Sequence, residues 1–103
     1  MAAPLSFVAR DQLTVASGAN KLITDSTTIW TAANRTRIVM CRIQILSNPI
    51  YWSMGGTPSS TVGEEGLVYG ELEVWGEADI INWRARAQSA DAEIEISAFG
   101  TGG

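Results

Sequence analysis

The sequence has no histidine and only one cysteine among its 103 residues. Without histidine, acid–base and nucleophilic chemistry built on an imidazole is excluded. One thiol cannot build a disulfide framework within the chain, nor supply the nitrogen and sulfur ligands of the usual zinc sites. Cations are scarce too: 7 lysines and arginines stand against 11 aspartates and glutamates, a net charge of −4. A nucleic-acid surface needs basic side chains converging on one face, so this balance argues against one. Long apolar runs are also missing. The start, Met1 to Asp11, lacks a basic region followed by the roughly 7–15 apolar residues of a signal peptide. No stretch approaches the roughly 20 residues of a membrane-spanning helix. The expectation is therefore no membrane partner, assembly in the cytoplasm and a reduced thiol at Cys41.

What is present is a globular composition, 46% hydrophobic and 17% charged, unlike that of a disordered chain. The length predicts one domain near the lower limit for a self-sufficient core. The dominant pattern has period two. Between Arg37 and Leu46, Val39, Cys41, Ile43 and Ile45 form one apolar set, and the alternate set is mixed. Such alternation predicts a strand with one face in the core. A second strand over Ile50–Met54 follows the turn signal Asn48-Pro49, and the two read as a hairpin pair. Alternation resumes over Leu67–Trp75, over Ile81–Ala87 and over Glu93–Phe99. Shorter strands are expected at Leu13–Val15 and Thr27–Thr31. Helical periodicity is absent, with Ala85–Ala92 the one stretch that would admit a helical turn. Seven or eight short strands, separated by turn signals about every 8–12 residues, predict an all-β antiparallel sandwich or barrel. Domain organisation reads as an extended N-terminal arm over residues 1–11, a sandwich over 12–100 and a flexible tail over 101–103. The Gly-, Ser- and Thr-rich stretch Gly55–Gly66, ending in Glu64-Glu65, reads as the long loop.

Few constellations suggest chemistry. Glu71 and Glu73 share a strand face, as do Glu93 and Glu95, at a spacing that a glycosidase pair tolerates. Catalysis would also need one carboxyl in an apolar pocket, and these lie on polar faces, so solvated faces are expected. Arg84 and Arg86, on a neighbouring face, are expected to pair with such glutamates, within the chain or across a subunit boundary. The acidic residues are too scattered for a calcium loop. Of the four tryptophans, Trp52 and Trp83 fall in phase with core faces, whereas Trp30 and Trp75 fall on mixed faces where a ring suits an interface or a sugar. Cys41 is in phase with the core.

Several segments in order carry a resemblance: Ser26-Thr27-Thr28-Ile29-Trp30-Thr31-Ala32-Ala33-Asn34-Arg35, Asn48-Pro49-Ile50-Tyr51-Trp52, Ile81-Asn82-Trp83-Arg84-Ala85, and Asp91-Ala92-Glu93-Ile94-Glu95-Ile96. Over residues 24–99 this layout resembles the small β-sandwich virion proteins of tailed bacteriophages, of the head decoration (cement) and head-fibre type. The resemblance implies a jelly-roll-like fold, a homotrimer, binding to the major capsid protein on the outer surface of the head, no enzyme activity and no cofactor. The Glu64-Glu65 pair and the high tryptophan content depart from that pattern. On this reading Leu5, Phe7 and Arg10 contact the shell or a neighbour. Trp30, Tyr69 and Trp75, with Arg84 and Arg86, pack subunits together. The alternative is a carbohydrate- or receptor-binding module of a phage tail or fibre, with Trp30 or Trp75 as the stacking platform.

Overall fold

The structure, a computed structural model, describes residues 5–59 and 61–101. The strands are β1 (Ser6–Val15), β2 (Lys21–Leu22), β3 (Ile38–Ser47), β4 (Ile50–Met54), β5 (Glu64–Gly66), β6 (Glu71–Trp75), β7 (Trp83–Ala87) and β8 (Ala92–Gly100). They form two antiparallel four-stranded sheets, ordered β1-β8-β3-β6 and β2-β7-β4-β5. The first strand pairs with the last, the second with the seventh, the third with the sixth and the fourth with the fifth. That is one long hairpin rolled over itself, the strand order of a jelly roll.

Alternation sorts the side chains of the sheets as the sequence predicts from Cys41 onward, whereas Val39, expected in the core, lies at the register shift between Ile38 and Met40 and is only half-buried, outside the core. Val15, Cys41, Ile43, Ile45, Val74, Ile94, Ile96 and Ala98 line the inner face of the first sheet. Ile50, Trp83, Ala85 and Ala87 line that of the second, and Trp52 packs against them half-buried. Alanines on β7 and β8 lie among Trp83 and the isoleucines, a large-against-small fit suited to a packed core.

Several expectations are corrected. β3 and β4 are not hairpin partners. Asn48, in the left-handed region at φ 59°, turns the chain across from one sheet to the other, and its side-chain amide donates to the Asp91 carbonyl. Thr27–Thr31 is a run of turns, because Ser and Thr side chains satisfy the backbone locally. Ser26 Oγ accepts from the Ile29 amide and Thr31 Oγ1 from that of Asn34. The strand expected over Leu67–Trp75 starts only at Glu71, after a tight turn. Residues 77–82 form a short helix, α1 (Glu77–Asn82), not the start of a strand. Gly76, at φ 87°, ends β6 in a conformation that disfavours side chains, and Glu77 and Asp79 suit the helix N-terminus. Finally, the expected arm is not detached: Ser6–Asp11 is the first half of β1, paired with β8 from Ser6↔Gly100 onward. Residues 1–4 of that arm and residues 102–103 of the expected tail lie outside the described residues. Ala85–Ala92 holds the end of β7 and a turn, and Glu64-Glu65 begins β5.

One polar contact ties the β1 edge to the turn-rich segment. Ser26, 1% exposed, donates its hydroxyl to Asp11 Oδ2 at 2.6 Å while accepting the Ile29 amide at 3.0 Å. Ser26→Ala strips a partner from both groups in a buried place. The variant is expected to lose about 2 kcal/mol of stability, read as a lower urea midpoint with an unchanged native circular-dichroism spectrum.

Candidate functional site

The outer face of the first sheet is organised in rows that run across all four strands. The first row is apolar: Phe7 on β1 opposes Phe99 on β8, Phe99 opposes Met40 on β3, and Met40 opposes Trp75 on β6. Phe7 is 54% and Trp75 50% exposed, while Met40 is covered by its neighbours and lies outside the central core cluster. The phenyl rings of Phe7 and Phe99 meet edge to face with centroids 6.1 Å apart, the favoured geometry for an aromatic pair.

The second row is Arg10, Ser97, Arg42 and Glu73, and the third is Gln12, Glu95, Gln44 and Glu71. Each arginine bridges rows. The Arg10 guanidinium stacks over Phe7 and that of Arg42 over Phe99, both at 5.4 Å. Arg10 also pairs with Glu95 at 3.6 Å, and Arg42 with Glu71 and Glu73 at 3.7 and 3.9 Å. Within the chain Glu71, Glu73 and Glu95 are thus served by Arg10 and Arg42, not by Arg84 and Arg86. Such exposed pairs contribute about 0–1 kcal/mol each; their effect is to fix side-chain positions on the face. Trp75 Nε1 donates to Glu73 Oε1 at 3.2 Å, which holds the half-exposed ring against the sheet.

The face carries features of a docking surface: an apolar strip, arginines laid on aromatic rings and a polar margin. Its carboxylates stand open to solvent. Among the described residues no pocket opens, and no three histidine, cysteine, aspartate or glutamate side chains gather as a metal site needs. No helix among them is long and apolar enough to cross a membrane. Cys41, on the inner face, has its thiol pushed up to about 12 by burial, so it stays protonated and inert at neutral pH.

A second surface is the turn Leu67–Gly70 between β5 and β6. It is closed by the Gly70 amide on the Leu67 carbonyl at 2.9 Å. It is anchored to β3 in both directions, Tyr69 N–H to the Ile45 carbonyl at 2.7 Å and Ile45 N–H to the Gly70 carbonyl at 3.0 Å. Tyr69 stands at φ 66°, where a turn of this kind favours glycine. Tyr69 is 80% exposed, and Leu67 and Val68 beside it are exposed as well. A rigid turn thus displays three large apolar side chains at the end of the sheet remote from Phe7 and Trp75.

The remaining candidates are dispersed. Arg84 and Arg86 project from the outer face of the second sheet, beside Ser53 and Tyr51 on β4. Arg86 Nε donates to Asn20 Oδ1, while Arg84 Nε is buried and finds no acceptor among the described residues. Trp30 is half-buried against the core. Leu5, half-buried, immediately precedes β1. The structure therefore brings Phe7, Arg10 and Trp75 onto one face, and keeps Tyr69, Trp30, Arg84 and Arg86 off it. Sequence reasoning missed Met40, Arg42 and Phe99 as members of that face. Their signal was phase: Phe99 alternates in step with Glu93, Glu95 and Ser97, and Met40 with Arg42 and Gln44.

No family model, curated protein or solved structure matches this chain.

The strain at Tyr69 makes a direct prediction. Tyr69→Gly relieves the left-handed conformation and removes an exposed ring that packs on little, so it is expected to raise stability by about 1 kcal/mol. A thermal melt checks this, an upward shift of a few degrees being expected. A fall in melting temperature would mean that the Tyr69 ring stabilises the free protein.

Proposed function

We propose that this chain is a non-enzymatic structural protein of a virion, a decoration protein that docks on the major capsid protein at the outer surface of an assembled tailed-phage head. The observation that carries this reading is the Leu67–Gly70 turn, where a residue in a strained conformation holds a large ring out in water. Strain retained at an exposed position points to a contact made elsewhere, and a rigid aromatic anchor on a short loop suits the buried centre of a protein interface. The β-sandwich and the resemblance over residues 24–99 support the same reading. A protein that binds only the assembled shell stabilises it by mass action, multiplied over many copies.

Cosedimentation with heads assembled from the major capsid protein of the same virion tests the reading. Saturable binding at a fixed ratio to the capsid protein is expected, and Tyr69→Gly, folded and no less stable, should bind at least ~10-fold more weakly. Absence of saturable binding by the unaltered chain would overturn it.

One observation favours a second reading, a carbohydrate- or receptor-binding module of a tail or fibre. The half-exposed Trp75 ring sits beside the Glu73 carboxylate, and a ring next to an acceptor is a pairing that sugars use. Saturable quenching of tryptophan fluorescence by an oligosaccharide, lost in Trp75→Ala, would favour it over the shell reading.

A further inference from the structure

We propose that the outer face of the first sheet is the interface of a twofold-symmetric dimer of this chain. The proposal stands apart from the shell reading, because it uses a different surface, and it departs from the homotrimer that the resemblance implies. A twofold contact places one patch against itself, so each residue must suit the residue that the axis brings opposite it.

The rows on the face meet that condition for one axis. Take an axis parallel to the strands, running between β8 and β3. It lays β1 of one copy over β6 of the other and β8 over β3, and every row faces its own reverse. In the apolar row Phe7 then meets Trp75, and Phe99 meets Met40. In the second row Arg10 meets Glu73, and Ser97 meets Arg42. In the third, Gln12 meets Glu71 and Gln44 meets Glu95. These meetings follow from the strand order and registers alone. Apolar faces apolar, each arginine faces a carboxylate or a hydroxyl, and no glutamate in these rows faces a glutamate although the face carries four of them. Beyond them, Glu93 falls opposite Ser47.

Two other in-plane axes fail. An axis across the strands through the sheet centre would press the Phe99 row onto the Glu93 end, burying charge against rings. One lying over the apolar row would pair that row alone and leave the rest unmatched. The favoured axis also keeps the strands of the two copies aligned, as facing sheets pack. Four strands about 4.8 Å apart and about 20 Å of strand length present roughly 400 Å² a side. That is at the small end for specific contacts, so association in the micromolar range or weaker is expected.

Charge reversal across the axis tests this. By sedimentation equilibrium from micromolar to millimolar concentration, the unaltered chain is expected to pass from monomer to dimer. Arg10→Glu and Glu73→Arg should each weaken association at least ~10-fold by setting like charges opposite each other twice per dimer. The double variant should recover to within about threefold of the original, because the pair is only exchanged. A chain that stays monomeric at the highest concentration, a trimer in place of a dimer, single reversals without effect, or a double variant no better than the singles would each overturn the proposal. Should a reversal unfold the chain, the unaltered protein still decides. Acrylamide quenching of the Trp75 emission, identified by difference from Trp75→Phe, must fall as concentration rises through the association, and a constant value overturns the dimer.

Discussion

The pairing of β3 with β8 is the constraint on which the rest of the molecule depends. These are two of the three longest strands, they occupy the middle of the first sheet, and their register sets Ile43 against Ile96 and Ile45 against Ile94. Because side chains alternate with period two, a slip of one residue would turn the isoleucines to solvent and drive Arg42, Gln44, Glu93 and Glu95 into the core. The inner side thus fixes the register, and the outer side inherits it. Met40 opposes Phe99 for no reason other than that Ile43 must oppose Ile96. The edge strands β1 and β6 extend the same rows outward, which is how Phe7 and Trp75, 68 positions apart in the sequence, come to end one apolar strip.

Much of this was legible in the sequence, because burial imposes alternation on a strand that has one wet face. Val39 to Ile45, Ile50 to Trp52, Trp83 to Ala87 and Ile94 to Ala98 were all assigned to the right kind of element from that pattern. What alternation does not encode is the neighbour. It gives the face of β3 and of β4 but not whether they lie side by side, and a two-residue link such as Asn48-Pro49 serves a crossing between sheets as well as a reversal within one. Local polar chemistry hid other features. Ser26 and Thr31 close turns where β-branched residues suggested a strand, and the six residues of α1 are too few to show helical periodicity. Phe99 and Met40 were in phase with polar residues, so their outward direction could be read. Their assembly with Phe7 and Trp75 into a row could not, since register is a property of the folded sheet.

Two kinds of exposed apolar surface result, and they differ physically. The strip on the sheet face is held by strands that the core already fixes, so its shape follows from folding. The turn at Leu67–Gly70 is different: glycine would sit there more comfortably than tyrosine, and nothing in the core requires the ring. Where local preference and observed residue disagree without a gain inside the molecule, the gain is expected outside it. Trp75 makes the complementary case, since its indole is satisfied by Glu73 on the surface and needs no outside partner to hold its place.

The edges of the sheets explain why association should run through a face. β1 is ten residues long with one side unpaired, the kind of edge that recruits strands without limit. It is blunted in three ways. The Gln12 amide is occupied by the Asp11 carboxylate at 2.9 Å. The register shifts between Phe7 and Ala9. Arg10 stands charged in the strand. In the second sheet the edge strands β2 and β5 have two and three residues, too short to template a ladder. Strand addition at an open edge can repeat indefinitely, whereas a self-matching face is consumed when it meets its copy. A chain that suppresses its edges and carries a face whose rows match their own reverse is arranged for a closed assembly, with the Tyr69 turn left at the far end to engage something else.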